Sequence, residues 1–268
     1  MKDEEWFKTK LVSRKTWAID DHGGDVMYLA TGEERCLLID TGWGIGDLPK
    51  TVSSLSALPL IVVNTHGHPD HSYGNSVFEE VHIHEADKHF IDKLNDARSR
   101  KWMIKNVLPK PLPKSFTPGV WASKVPPIKT IKDGYVFDLS NRHLQTISVP
   151  GHSPGSICLL DRENRLLFTG DTIQNPSWLH LQESQPLSQF LENLKRLQSF
   201  SGEFDCYLPA HTALEPLPLP KQHISELIAG IEGILSGKRV GREEKTFAGD
   251  GLRCDFGSTA IVYRPDNL

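Results

Sequence analysis

The sequence predicts an α/β protein, α+β in the grouping of its elements, built from two similar β-α units with their sheets packed face to face and helices outside. Two observations carry this. Each half of the chain runs short apolar strands and then helical stretches. Several of those strands end in loops framed by glycine and proline that hold histidine or aspartate. No internal sequence repeat accompanies the pattern.

In the first half, residues 16–40 alternate between apolar runs and turn residues. Val26, Met27, Tyr28, Leu29 and Ala30, a Thr-Gly-Glu-Glu turn at residues 31–34, and a second run over residues 36–40 read as a β-hairpin. Asp40 closes the second strand with an acid at its mouth. Residues 46–58 are moderately helical and stop before Pro59. The apolar run at residues 60–64 is a buried strand, and it leads into His66-Gly67-His68-Pro69-Asp70-His71. His66 and His68 are two residues apart, so in extended chain both imidazoles point to one side. Gly67 and Pro69 let the backbone turn and bring Asp70 and His71 round to a second side of the same spot. Residues 81–84 form another short strand, and residues 85–95 read as helix.

Residues 97–127 break the plan. Arg98, Arg100, Lys101 and Lys105 cluster there, six prolines recur at 109, 111, 113, 118, 126 and 127, and Trp102, Phe116 and Trp121 stand among them. The segment reads as an insertion, either a lid over the site or a surface arm. The β pattern then resumes with strands at residues 135–137, 144–149, 156–160 and 165–169. A helix over residues 187–200 precedes an apolar run at 206–209. A second helix over 221–236 carries Ile224, Leu227, Ile228, Ile231 and Ile234 on one face. A strand at residues 259–263 closes the chain.

Composition narrows the function. The chain has 268 residues, 38% hydrophobic and 24% charged, an ordinary globular balance able to bury a core. A net charge of -4 gives no basis for gripping nucleic acid. No apolar run approaches a membrane span. The charged start lacks the apolar stretch of a secretory signal, and the four cysteines are scattered with no Cys-x-x-Cys pair. They read as reduced thiols of a cytoplasmic protein. A small-molecule substrate is expected, with no membrane or nucleic-acid partner; a homodimer is left open.

Four metal-capable side chains within residues 66–71 exceed what a solvated loop needs. An imidazole and carboxylate set without thiolate suits zinc, iron or manganese. Three further candidates fall at strand ends: His152 in Gly151-His152-Ser153-Pro154-Gly155, Asp171 in Thr169-Gly170-Asp171-Thr172, and His211 in Pro209-Ala210-His211. With these four motifs the chain resembles the metallo-β-lactamase superfamily, and more narrowly its glyoxalase II-like hydrolase branch, over roughly residues 16–235. The resemblance implies a single domain over residues 1–268 with a four-layer αββα sandwich and metals at the sheet edges. It implies that His66, His68 and His152 hold a first ion, that Asp70, His71 and His211 hold a second, and that Asp171 bridges them. Two divalent ions are therefore expected, zinc before iron or manganese. Such a pair activates a shared water as hydroxide and polarises the bond under attack, so the expected activity is hydrolysis of an ester, thioester, lactone or similar bond.

Asp70 is in addition the expected catalytic residue, orienting the attacking hydroxide. Asp40 either fixes a ligand histidine or a motif-loop amide, or caps its turn. Tyr73, beside the motif, and His180, after the Asp171 strand, are candidate substrate contacts. His82 and His84 form a second His-x-His pair and are read as structural; His22, His89, His143 and His223 are read as surface residues. A mono-iron persulfide-type dioxygenase shares the scaffold and is the alternative from another reaction class; a phosphodiesterase or nuclease of the same fold is a further alternative. Glyoxalase II itself carries a C-terminal helical domain for glutathione, whereas one good helix and a short β tail follow His211 here.

Overall fold

The computed structural model describes residues 6–94, 97–108 and 125–268. They form two compact units. The first holds the described residues up to Ile131 together with Phe137–His143 and Thr212–Leu217; the second holds Lys132–Val136, Leu144–His211 and Pro218–Leu268.

The first unit is built on a seven-stranded sheet whose spatial order follows the sequence: β1 (Phe7–Ser13), β2 (Thr16–Asp21), β3 (Val26–Thr31), β4 (Cys36–Ile39), β5 (Leu60–Val63), β6 (Val81–His84) and β7 (Ile128–Ile131). β1 to β4 form an antiparallel meander, and β4 to β7 run parallel. Parallel neighbours need crossovers, which helices supply. α1 (Leu48–Leu55) joins β4 to β5; Asp47 caps it by accepting from the Lys50 amide at 3.1 Å, and Pro49 sits in its first turn. α2 (Pro69–Ser72) and a 3-10 turn, Tyr73–Val77, join β5 to β6. α3 (Lys88–Leu94) and α4 (Ala97–Asn106) follow β6. Met27, Leu29, Cys36, Leu38, Val62 and Val81 form the core with Trp6 and Phe7, each full side chain contributing about 1.5–3 kcal/mol by burial.

Two further sheets follow, one of six strands in the order β14-β13-β11-β10-β9-β8 and one of four, β12-β17-β16-β15. These strands are β8 (Val136–Asp138), β9 (His143–Ser148), β10 (Ile157–Asp161), β11 (Leu166–Gly170), β12 (Ser177–Leu179), β13 (Cys206–Pro209), β14 (Leu219–Pro220), β15 (Arg242–Thr246), β16 (Gly249–Phe256) and β17 (Thr259–Tyr263). α5 (Leu187–Gln198) buries Leu187, Phe190, Leu191, Leu194 and Leu197, one helical stripe. α6 (Gln222–Leu235) buries the five apolar residues expected of it, and Gly230 as well. A Cβ on Gly230 would lie 2.3 Å from the Phe256 ring, so the glycine lets α6 sit tightly on β16.

Besides the strands β1, β7, β12 and β14, which the sequence reading did not anticipate, two features differ from it. The start of the 97–127 segment is the helix α4, because Ile104 is buried against Trp43 and Tyr73 and gives the polar stretch an anchored face. The C-terminal tail is a full β15–β16–β17 meander, not one strand. Phe116, Trp121 and the prolines from 109 to 118 lie outside the described residues. Among the described residues no helix is long and apolar enough to cross a membrane. All four cysteines are free; Cys36, Cys158 and Cys254 are buried and Cys206 partly so.

Candidate metal centre

In the first unit, β5 ends at Val63 and the chain turns sharply through the histidine motif into α2. His66 Nε2 and His68 Nδ1 come to 3.0 Å of each other. Asp25, Asp70 and His71 each offer a ligand atom within 4.8 Å of the others. Tautomers follow from the surrounding partners. The Asp40 carboxylate can only accept, so His71 Nδ1–H donates to its Oδ2 at 3.0 Å and Nε2 is the nitrogen suited to a cation. The Thr65 hydroxyl donates to Asp40 Oδ2 at 2.8 Å and therefore accepts from His66 Nδ1–H at 3.2 Å. His66 Nε2 is thus likewise the nitrogen suited to a cation.

Asp40 also accepts from the Thr65 amide at 2.7 Å, so one buried carboxylate fixes both the motif-loop backbone and a histidine. Its φ of 65° is the left-handed region, which aspartate tolerates better than most residues and which costs about 1–3 kcal/mol. The His71 carbonyl accepts from the Thr41 amide at 2.9 Å and from Asn64 Nδ2 at 2.7 Å. Asn75 Nδ2 donates to Asn64 Oδ1 at 2.7 Å, and the Thr41 hydroxyl lies 2.8 Å from Asn75 Oδ1. Gly67 donates its amide to Asp87 Oδ2 at 3.0 Å. A Cβ on Gly74 would stand 2.1 Å from the Thr41 carbonyl oxygen, so only glycine fits that approach. Beneath the hairpin, Asp21 is fully buried and accepts from the Trp43 amide at 2.7 Å and from the Trp6 indole. Burial pushes its carboxyl up to about 7 in spite of those bonds.

In the second unit the other three candidates stand together. His152 follows β9; its Nδ1–H donates to the Trp178 carbonyl at 2.8 Å, which directs Nε2 towards Asp171 Oδ2 at 3.4 Å. His211 Nε2, after β13, lies 3.2 Å from the same oxygen. The His152 turn is held by Ser153 and Ser156, whose hydroxyls are 2.8 Å apart, and by Ser184, which donates to the His152 carbonyl at 3.1 Å. Gly151 admits the Phe190 ring, which a Cβ would meet at 2.2 Å.

These donors fit divalent cations. Two donors about 2.0–2.1 Å from one tetrahedral ion lie about 3.3–3.4 Å apart. The His66–His68, His152–Asp171 and His211–Asp171 separations of 3.0, 3.4 and 3.2 Å match that spacing. Each histidine whose second nitrogen is engaged donates from it to an oxygen, the arrangement that orients metal ligands.

Of the candidate substrate contacts, Tyr73 is buried in the first unit, with the Arg100 guanidinium 4.7 Å from its ring centre and Trp43 edge-on at 6.3 Å. Arg100 is itself buried, and desolvation lowers its pKa, whereas Trp102 is 56% exposed. His180 is buried in the second unit, its Nε2 2.9 Å from the Thr246 hydroxyl and its ring against Trp178; burial lowers its pKa. His82 is buried with Nδ1 donating to the Val62 carbonyl at 3.1 Å, and His84 accepts from the Ala86 amide at 3.3 Å, both structural contacts. His22 stacks on Trp6 at 4.3 Å and His223 hydrogen-bonds the Tyr207 hydroxyl at 2.7 Å, so neither is a bare surface group. Sequence reasoning missed Asp25 and the Thr41–Asn64–Asn75 set. Only an acid at the mouth of β3 signalled the former.

A family model of the metallo-β-lactamase superfamily matches residues 20–211. The chain is 32% identical over 202 residues to an acyl-coenzyme A thioesterase of Gallus gallus, covering 69% of this chain and 71% of that one. It is 24% identical over 148 residues to a hydroxyacylglutathione hydrolase of Haemophilus influenzae, covering 53% and 62%. Among solved structures, a metallo-β-lactamase from Pontibacter korlensis shares the fold, with a TM-score of 0.59, 17% identity and coverage of 84% and 99%.

Proposed function

The chain belongs to the metallo-β-lactamase superfamily, on its glyoxalase II-like side, and is a hydrolase; from that premise we propose that it cleaves acyl thioesters of the acyl-coenzyme A kind. His66, His68 and His152 would hold one divalent ion, and Asp70, His71 and His211 a second, with Asp171 common to both. A family model running from residue 20 to residue 211 supports reading these residues as parts of one domain. The observation that carries the two-ion reading is Asp171 Oδ2, faced by His152 Nε2 at 3.4 Å and His211 Nε2 at 3.2 Å. A single carboxylate oxygen facing two imidazoles is what a shared ligand requires. Zinc is the ion we assign, with iron or manganese also suited to the donors.

When bound, the ions supply an activated water and polarise the acyl carbonyl. The remaining work falls to side chains. Asp70, whose side chain is 19% exposed, accepts a hydrogen bond from the attacking water and orients it. Asp40 holds His71 in one tautomer throughout the cycle. A carbon–oxygen bond forms at the acyl carbon, the carbon–sulfur bond breaks, and the thiolate leaves with the water's proton. Tyr73 and His180 are the candidate substrate contacts in this reading, with the described start of the insertion, residues 97–108, beside Tyr73. Arg100 stacks on Tyr73 there. Four free cysteines support a reducing, cytoplasmic setting.

The test is a substrate panel on metal-loaded protein: acyl-coenzyme A thioesters, acylglutathione, a lactone, a β-lactam and a phosphodiester, with oxygen uptake followed on a persulfide. The coenzyme A thioester should lead in kcat/KM by at least about tenfold. Oxygen uptake with no thioester turnover would replace the proposal with the dioxygenase.

A further inference from the structure

We propose that Asp25 is an additional metal ligand, completing on the Asp70–His71 side a set of two carboxylates and one imidazole drawn from the first unit alone. This deepens the two-ion reading and rests on it. Asp25 immediately precedes β3 and is only 3% exposed. Its carbonyl accepts from the Asp21 amide at 2.7 Å, closing the β2–β3 turn and fixing where the side chain departs. A carboxylate oxygen of Asp25 lies within 4.8 Å of ligand atoms of both Asp70 and His71.

Electrostatics makes that proximity informative. Two carboxylates within 4.8 Å of each other, one buried and one largely so, repel when both are ionised, and a cation between them relieves that repulsion without protonating either. His71 cannot be that cation and a ligand at once, since Asp40 already fixes its Nδ1 proton and Nε2 must present a lone pair. A divalent ion at the point the three groups share resolves the repulsion with its own charge. The donor set also has a consequence for ion choice. With Asp171 also assigned to this ion, Asp25 raises its carboxylates from two to three and makes the position harder, shifting preference towards manganese or iron relative to zinc. Asp25 thereby tunes one position and leaves the His66–His68 side unaltered.

The experiment titrates metal-free wild type, Asp25→Asn and Asp25→Ser with Zn²⁺, Mn²⁺ and Co²⁺, reading stoichiometry, affinity and the visible Co²⁺ spectrum. Wild type should take two ions. In both variants one ion should bind as in wild type, and the other should weaken by at least about tenfold, more for Mn²⁺ than for Zn²⁺, with an altered Co²⁺ band. Near-UV circular dichroism identifies a variant that fails to fold. A second measurement needs no variant: electron–nuclear spectroscopy of Mn²⁺-loaded wild type with aspartate labelled at the side-chain carboxyl carbon. Strong carbon couplings from Asp25 besides those of Asp70 and Asp171 are expected. Wild-type affinities and Co²⁺ spectrum in Asp25→Asn, or couplings from two aspartates only, would overturn the assignment. Failure of wild type to bind a second ion would instead overturn the two-ion reading.

Discussion

Replacing Asp40 with asparagine isolates the contribution of one hydrogen-bond pattern. Asparagine matches aspartate in shape and tolerates the φ of 65° at this position, so backbone strain is little changed. The donors are what change. Aspartate Oδ2 receives His71 Nδ1–H and the Thr65 hydroxyl, while Oδ1 receives the Thr65 amide. If the amide oxygen takes the Oδ2 place, its NH2 faces the Thr65 N–H, and one buried donor goes unsatisfied at about 1–3 kcal/mol. If the amide flips, NH2 faces His71 Nδ1 and drives that ring to the tautomer protonated at Nε2. Nε2 is then unable to bind a cation.

Either outcome should lower affinity for the ion on the Asp70–His71 side by about 10–100-fold, the usual effect of removing a ligand's supporting partner. The stability of the metal-free protein should fall by about 1–3 kcal/mol. Asp40→Ala should cost more, because three donors lose their acceptor and alanine is strained at this φ. The assay is metal competition against a chromophoric chelator, paired with urea unfolding of the metal-free protein. An Asp40→Asn protein with wild-type affinity for both ions and a wild-type unfolding midpoint would refute the reasoning.

Two further perturbations test the scaffold. The Asp21 carboxyl, raised from 3.8 to about 7, binds more protons folded than unfolded between those values. The metal-free protein should therefore lose stability as pH rises through that window, by a total on the order of 4 kcal/mol, and change little beyond it. Urea midpoints of Asp21→Asn across the same range should lack that fall; an equal slope in variant and wild type would assign it elsewhere. Gly74→Ala pushes a methyl into the Thr41 carbonyl and should cost about 1–3 kcal/mol or more while loosening the His71 loop. An unaltered melting temperature and metal affinity would mean that the 3-10 turn yields freely.

The sequence exposed the parts in which local chemistry and fold agree. The strands at residues 26–31, 36–39, 60–63, 81–84 and 259–263 are short apolar runs bounded by turn residues, and the structure has them there. α5 and α6 keep the 3.6-residue stripe that their burial requires. The same signal is absent from β1 and from the β15–β16 hairpin. Phe-Lys-Thr-Lys-Leu-Val-Ser and Arg-Glu-Glu-Lys-Thr are polar edge strands, stabilised by pairing rather than by an apolar face. α4 was hidden for a related reason, since its buried face includes an arginine. The histidines of the motif were legible because their spacing is local. Asp25 and the Thr41–Asn64–Asn75 contacts join residues far apart in sequence, and periodicity carries no trace of such contacts.

The central claim is a centre of two ions sharing Asp171. Its most direct measurement is metal content per chain by mass spectrometry, made on wild type and Asp171→Ala prepared alike, with thioester turnover measured on the same samples. Two ions in wild type, no more than one in the variant, and near-complete loss of turnover in the variant are expected. One ion per wild-type chain, or a variant that keeps both ions and full turnover, would contradict it.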